Sequence, residues 1–272
     1  MAATLERCIF CSRPRTNKLG EHVWDAWLNR ENGKNIFDPG HTYHYGINGA
    51  LIRDHPSHGL HVTLPVVCDH CNNNWMSDLS NAAKPLLEPS IRRNVPRDYD
   101  IGDIWTLTAF MFLKAAVLDW AAKSSTRQPC ISRTACVAFR ESLMSPDLPE
   151  RGIAIPDGLQ LWIARFRRTH KMEARTSTDE LTGVRQFKGY KILVVTYQVG
   201  SFIFQMTFPR WARRTRNRPD PPFFDIHGDL ASVSIWPGVD VSYWPPPAQV
   251  SGKTFDAFRQ RFRRVLIRTD EP

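Results

Sequence analysis

Four cysteines in the first part of the chain form two Cys-x2-Cys pairs, Cys8 with Cys11 and Cys68 with Cys71. Each pair can place two thiolates at adjacent corners of a tetrahedron, and four such ligands satisfy zinc completely. A closed four-thiolate site leaves no open position for water, so the zinc is expected to be structural and to stabilise a loop-rich module. A redox dithiol, or an accidental spacing, is the alternative, and the occurrence of both pairs in one module argues against it.

The remaining cysteines, Cys130 and Cys136, lie outside this module at a different spacing. Free cysteine is commonly a small buried hydrophobe, so both are expected in the core. The first ten residues, MAATLERCIF, do not resemble a secretory signal, and we therefore expect a cytoplasmic protein in which metal binding outranks disulfide formation.

Charge favours a polyanionic partner, because Lys and Arg outnumber Asp and Glu by 36 to 27 in 272 residues, a net charge of +9. Nucleic acid is the expected partner. The most apolar window, residues 104–122, is helical in pattern but contains Lys114 and Asp119, which makes membrane insertion costly. We expect a buried helix there and no membrane association.

Two short motifs follow the cysteine pairs: Glu21-His22 comes after the first, and Asn72 comes directly after the second. This order resembles the HNH, or ββα-metal, nucleases, and most of all their zinc-containing branch, which includes the recombination endonuclease VII type. The resemblance covers about residues 8–84. It implies a treble-clef module in which a β-hairpin precedes a helix that begins near Asn72 and ends at Pro85.

Site roles also come from the resemblance. It implies that His22 is the general base that deprotonates the attacking water, a task that suits an imidazole near neutral pH. Glu21 and Asn72 would supply oxygen ligands to one hydrated divalent cation, Mg²⁺ or Mn²⁺, which contacts the scissile phosphate. Each residue also has a simpler interpretation: Glu21-His22 as a surface dipeptide, and Asn72 as the cap of its helix.

The chain departs from the family pattern at three positions. Glu21 stands where Asp is more usual, Thr63 where the central Asn is expected, and Trp75 where a basic residue is frequent. Thr63 can still make the hydrogen bond that fixes the loop. His61, near the strand that leads to the second cysteine pair, is a candidate second acid or base. Most of the histidines between Glu21-His22 and the second cysteine pair are expected to be solvated.

A basic run outside this module is the candidate for gripping a nucleic-acid backbone, because arginine favours bidentate phosphate contacts. An ordinary solvated loop is the alternative. The run consists of Arg210, Arg213, Arg214, Arg216 and Arg218.

Composition and periodicity predict an α+β chain in three parts: a metal-organised module over residues 1–98, a helical segment over 99–148, and a β-rich domain with a terminal helix over 149–272. The resemblance implies that the first part is a zinc-binding HNH-like module. Helices are expected over 103–124, capped by Asp103, and over 134–144. Gly200 and Ser201 mark a hairpin turn between two strands. Phe202, with the alternate residues that follow it, should form the one buried face of the sheet.

The resemblance, together with the positive net charge, implies a metal-dependent endonuclease that hydrolyses phosphodiester bonds in DNA. One such site cuts one strand, so a double-strand break would require a homodimer, two molecules or successive nicks. Two alternatives stay open: a zinc-stabilised nucleic-acid-binding module without catalysis, and a zinc-stabilised interaction or regulatory protein whose positive charge is incidental.

Overall fold

The structure, a computed structural model, describes residues 6–15, 21–23, 25–31, 34–35, 40–45, 51–57, 63–93, 95–121, 128–145, 154–167, 174–181, 190–211, 232–236, 242–246, 248–259 and 261–262. The strands are β1 (Glu21–His22), β2 (Arg30–Glu31), β3 (Lys34–Asn35), β4 (Gly40–Tyr45), β5 (Leu51–Ser57), β6 (Thr63–Leu64), β7 (Arg97–Tyr99), β8 (Gln160–Arg165), β9 (Ala174–Leu181), β10 (Tyr190–Val199), β11 (Phe202–Trp211), β12 (Ser232–Trp236) and β13 (Ser242–Trp244). The helices are α1 (Asp69–Cys71), α2 (Ser77–Arg93), α3 (Ile101–Ala121), α4 (Arg133–Leu143) and α5 (Phe255–Arg259), with a 3₁₀ turn over Ala26–Asn29 and a π turn over Asn72–Met76.

The mixture of helices and antiparallel strand pairs confirms the predicted α+β class. One continuous hydrophobic cluster joins residues from all three predicted parts of the chain, from Cys8 through α3 to Trp244. The division at residues 98 and 148 stays a prediction.

The N-terminal part is held together by a short strand pair. β1 pairs with β6 in an antiparallel register that sets His22 opposite Thr63. The backbone N–H of Ile9 donates to the carbonyl oxygen of Val66 at 3.1 Å, which ties the first cysteine loop to the turn after β6. The chain then enters α1, so this strand pair is followed by a helix.

The expectation that Pro85 ends this helix is wrong, because α2 continues to Arg93. Proline removes one backbone donor, and Pro89 thereby leaves the carbonyl of Pro85 without its helical partner. Arg97 Nη1 donates to that carbonyl at 3.1 Å. Leu87 and Ile91 are both 1% exposed, so the packing of α2 against the core favours a continued helix over a break.

The central helix α3 begins two residues earlier than predicted, and its cap is a different residue. The backbone N–H of Asp103 donates to Oδ1 of Asp100 at 2.8 Å, so Asp100 caps the helix and Asp103 lies in its first turn. In length and composition α3 could cross a membrane, and 67% of its most apolar stretch is buried inside the protein. It is the core helix on which the other elements pack.

The C-terminal sheet has the order β12-β8-β11-β10-β9, and its central hairpin turns at Gly200 and Ser201 as predicted. Gly200 has a φ of 54°, which glycine adopts without strain. Phe202 and the alternate residues after it face the main core, also as predicted. The prediction of a single buried face is wrong, because Ile203 on the opposite face packs with Phe255 and Phe258 of α5.

Contacts also join this sheet to the N-terminal part. The hydroxyl of Tyr197, on β10, donates to the carbonyl oxygen of Val23 at 3.1 Å. Val23 directly follows β1, so the sheet supports the strand that carries Glu21 and His22.

Candidate functional site

The two cysteine pairs come from different local structures. Cys8 and Cys11 lie in a tight loop in which the backbone N–H of Ser12 donates to the carbonyl of Cys8 at 3.1 Å. Ser12 has a φ of 59°, which closes the loop. Cys68 immediately precedes α1 and Cys71 ends it, so one helical turn separates the second pair.

All four sulfur atoms lie within 4.8 Å of one another. Cys11 Sγ lies 3.5 Å from Cys68 Sγ, far longer than the roughly 2.05 Å of a disulfide. Four sulfurs about 2.3 Å from one zinc would lie about 3.8 Å apart, so the cluster fits a single tetrahedral ion. The cluster can therefore hold a structural metal such as zinc, as the sequence predicted.

The thiols interact as a unit. A hydrogen bond with Cys71 lowers the pKa of Cys8, and the same bond raises the pKa of Cys71, so the two thiols do not titrate independently. The side chain of Trp75 acts in the opposite sense and lowers the pKa of Cys71. Trp75 also contacts Phe10 edge-on at a ring distance of 5.1 Å, so this side chain packs beside the cysteine cluster.

Glu21, His22 and Asn72 all line one cavity of about 310 Å³. The strand pair brings Glu21 and His22 to it, and the π turn brings Asn72. The helical path is kinked just after Asn72, at Asn74, where φ is −113° and ψ is −112°. The further lining residues are Asp25, Trp27, Met76, Ser77, Ser80 and Asn81.

Asn72 does not cap its helix, which corrects the simpler interpretation of this residue. The helical segment begins at Asp69, and Cys68 has the extended backbone of an N-cap. Asn72 already has helical angles, φ −61° and ψ −47°. The predicted start of the helix near Asn72 is also wrong by about one turn, because the second cysteine pair itself forms the first turn.

A buried ion-pair cluster adjoins the cavity. Lys114 Nζ lies 2.6 Å from Glu21 Oε1 and 3.0 Å from Asp25 Oδ1, and it also donates to the carbonyl of His22 at 3.0 Å. Burial by itself would lower the pKa of Lys114, but the carboxylates of Asp25 and Glu21 outweigh it and raise that pKa above its ordinary value. Lys114 is therefore a charged ammonium in the protein interior. Burial, together with the same two carboxylates, also raises the pKa of Tyr197.

The sequence did not single out Asp25 or Lys114 as site residues. A signal was present, since a lysine in the middle of an apolar helix needs a buried partner. Nothing in the sequence identified that partner. Ser80 was also missed, and it accepts a hydrogen bond from Trp27 Nε1 at 3.2 Å on the helical wall of the cavity.

Of the other predicted site residues, the two that the structure describes, Thr63 and Arg210, do not line this cavity. Thr63 is exposed opposite His22. Arg210 donates to the carbonyl of Pro129. His61 lies outside the described residues, as do Arg213, Arg214, Arg216 and Arg218.

Both outer cysteines, Cys130 and Cys136, are buried as predicted. The site's geometry is thus the principal guide to its function. Comparison of the chain with protein-family models, with curated proteins and with solved structures finds no match.

Proposed function

We propose that the protein is a metal-dependent endonuclease that hydrolyses phosphodiester bonds in DNA. The observation that carries this proposal is the convergence of Glu21, His22 and Asn72 on one cavity. Their residue types supply a general base and two oxygen ligands, the groups that metal-assisted hydrolysis of a phosphodiester needs.

The surrounding frame supports the proposal. A strand pair, a helix and a four-cysteine cluster occur in the order of a zinc-containing ββα module. The cysteine cluster fixes the start of the helix, and the strand pair fixes His22 against Thr63. This frame is the proposed treble clef, and its zinc has a structural role because four thiolates leave no coordination position open.

His22 is the proposed general base. Its backbone is held on one side by β6 and on the other by the hydrogen bond from Lys114 to its carbonyl. Its side chain is half-buried at the cavity, where the imidazole can take a proton from a water molecule as that water attacks phosphorus. A fixed backbone favours this step because misplacement of a base costs rate steeply.

Glu21 and Asn72 offer oxygen atoms, the donors that Mg²⁺ and Mn²⁺ prefer, so the cavity fits a hard divalent cation. Such a cation, when bound, stabilises negative charge on the phosphate and on the leaving oxygen. The net charge of +9 favours the approach of a polyanionic substrate.

The test is a plasmid-nicking assay with zinc-replete protein and Mg²⁺ or Mn²⁺. We expect His22→Ala to abolish nicking. The matched control is His70→Ala, because His70 is an exposed histidine of α1 that does not line the cavity. Nicking that survives in His22→Ala, or that is lost equally in His70→Ala, would contradict the proposal.

A second candidate is a nucleic-acid-binding module without catalysis. The observation that favours it is the 2.6 Å ion pair between Lys114 and Glu21, which already supplies a cation to the proposed ligand. DNA binding in a mobility-shift assay without nicking in any divalent metal would select this candidate. Neither binding nor nicking would point to an interaction protein.

A further inference from the structure

The ammonium group of Lys114 has no donor left for another partner. Its three N–H groups match three acceptors, namely Glu21 Oε1, Asp25 Oδ1 and the carbonyl of His22. The side chain is 1% exposed and lies on the long core helix α3. Lys114 is thus a fixed group that holds two carboxylates from different segments beside one another.

Charge in this cluster does not balance. Two carboxylates face one ammonium, which leaves one net negative charge in the interior beside the cavity. Among the residues that line the described cavity, His22 is the only other titratable group, and the helical wall consists of neutral side chains such as Asn72 and Ser77. A buried charge without a counter-charge is costly, so the cavity favours a cation.

Asp25 has an oxygen that can receive this cation. Oδ1 accepts from Lys114, whereas Oδ2 is buried and has no hydrogen-bond partner among the residues the structure describes. Asp25 is only 8% exposed, and it lines the cavity. A buried, unpartnered carboxylate oxygen beside a cavity whose lining includes Glu21, His22 and Asn72 is an available ligand atom for a hard cation.

We infer that Asp25 is a ligand of the divalent cation together with Glu21 and Asn72, and that Lys114 is the positioning residue that presents both carboxylates to it. The inference deepens the proposed function and rests on it for the catalytic role of the cation. Asp25 compensates for the unusual Glu21, whose oxygen Oε1 is already engaged by Lys114.

Binding of Mn²⁺ to the zinc-replete full chain, followed by the electron paramagnetic resonance of free Mn²⁺, tests the ligand role without DNA. We expect Asp25→Asn to weaken Mn²⁺ binding at least about tenfold, since even an outer partner of a metal ligand typically contributes about 10–100-fold. The matched control is Asp157→Asn, an exposed acidic residue in a turn, which should bind Mn²⁺ as the wild type does.

Folding is controlled within the same series. The amide oxygen of Asn can still accept from Lys114, so Asp25→Asn keeps that hydrogen bond, and its zinc content and circular dichroism should match the wild type. Asp25→Glu, which restores a carboxylate, should recover Mn²⁺ binding in part. A folded Asp25→Asn protein that binds Mn²⁺ like the wild type would overturn the inference.

Lys114→Met tests the positioning role. Without the ammonium, the two carboxylates repel each other and are no longer held side by side, so we expect Mn²⁺ to bind more weakly and to raise the melting temperature less than in the wild type. If Lys114 only fills space in the core, Lys114→Met should respond to Mn²⁺ as the wild type does. That result would reject the positioning role of Lys114.

The two proposals fail differently. Mn²⁺ binding that depends on Asp25, in a protein that never nicks DNA, would support the metal site and reject the nuclease. Nicking that depends on His22, with Mn²⁺ binding and nicking unaffected by Asp25→Asn, would support the nuclease and reject Asp25 as a ligand.

Discussion

Lys114 Nζ lies 2.6 Å from Glu21 Oε1, although the two residues are 93 positions apart in the sequence. Lys114 belongs to the core helix and Glu21 to the strand that carries His22. This ion pair therefore connects the interior of the protein to the proposed catalytic cavity.

Replacement of Lys114 by Met should destabilise the protein strongly. Removal of one partner from a buried ion pair leaves an uncompensated charge and costs about 3–5 kcal/mol. Urea denaturation should show this loss in the free energy of unfolding. Lys253→Met, at an exposed position, should change it by less than about 0.5 kcal/mol. A similar small change for Lys114→Met would mean that the ion pair contributes little.

The four-cysteine cluster should contain about one zinc per chain by elemental analysis. The binding free energy of structural zinc is about 10–16 kcal/mol in small modules. This is as large as, or larger than, the free energy of unfolding of most domains. Cys68→Ser should therefore lose the metal and unfold the N-terminal module, as seen by circular dichroism and limited proteolysis. Cys130→Ala, outside the cluster, should retain the full zinc content. A zinc-free protein that is well folded would contradict the assignment of the cluster.

Asn72 and Asn73 offer a matched pair for the cavity. Asn72 lines it, whereas Asn73 is exposed and does not. If Asn72 is a metal ligand, Asn72→Ala should lower the rate of plasmid nicking by about 10–100-fold, with Asn73→Ala close to the wild type. Equal effects of the two substitutions would indicate a role in the shape of the π turn instead. Their melting temperatures should be compared first, so that a loss of folding is recognised.

Cys136 should resist alkylation in the native protein. It is fully buried, and burial, with the nearby charge of Asp119, raises the pKa of its thiol to about 12. Alkylation requires the thiolate form of cysteine, which predominates only above the pKa. At pH 8 the thiolate fraction of Cys136 would be roughly one part in 10⁴. Mass spectrometry after treatment with iodoacetamide at pH 8 should find Cys136 modified only when denaturant is added. Rapid modification of the native protein would show that this part of the core is open.

Much of the local structure follows from the sequence because its causes are local. The spacing of Cys8 with Cys11 and of Cys68 with Cys71 is a short-range pattern, and the structure brings all four sulfurs together. The hairpin at Gly200 depends on a turn that glycine favours and on alternating side chains beside it. That Glu21, His22 and Asn72 would meet was implied by the resemblance to the HNH nucleases, and the structure places all three around one cavity.

Boundaries and long-range partners depended on tertiary structure. Proline disfavours the interior of a helix, yet α2 continues past Pro85. Burial of Leu87 and Ile91 favours the continued helix. Arg97 donates to the carbonyl of Pro85, which has no helical donor because residue 89 is also a proline. No local pattern carries that information.

The sequence by itself predicted a four-cysteine site that could hold a metal, because each Cys-x2-Cys pair is a pattern within four residues. The proposed roles of Glu21, His22 and Asn72 came from the resemblance to the HNH nucleases. Only the tertiary structure decided that Lys114 and Asp25 belong to the same cavity region as Glu21. The physical reason is that a lysine in an apolar helix must be paired with a negative charge when it is buried, and the sequence shows that much. Which carboxylate pairs with it depends on how α3 packs against β1.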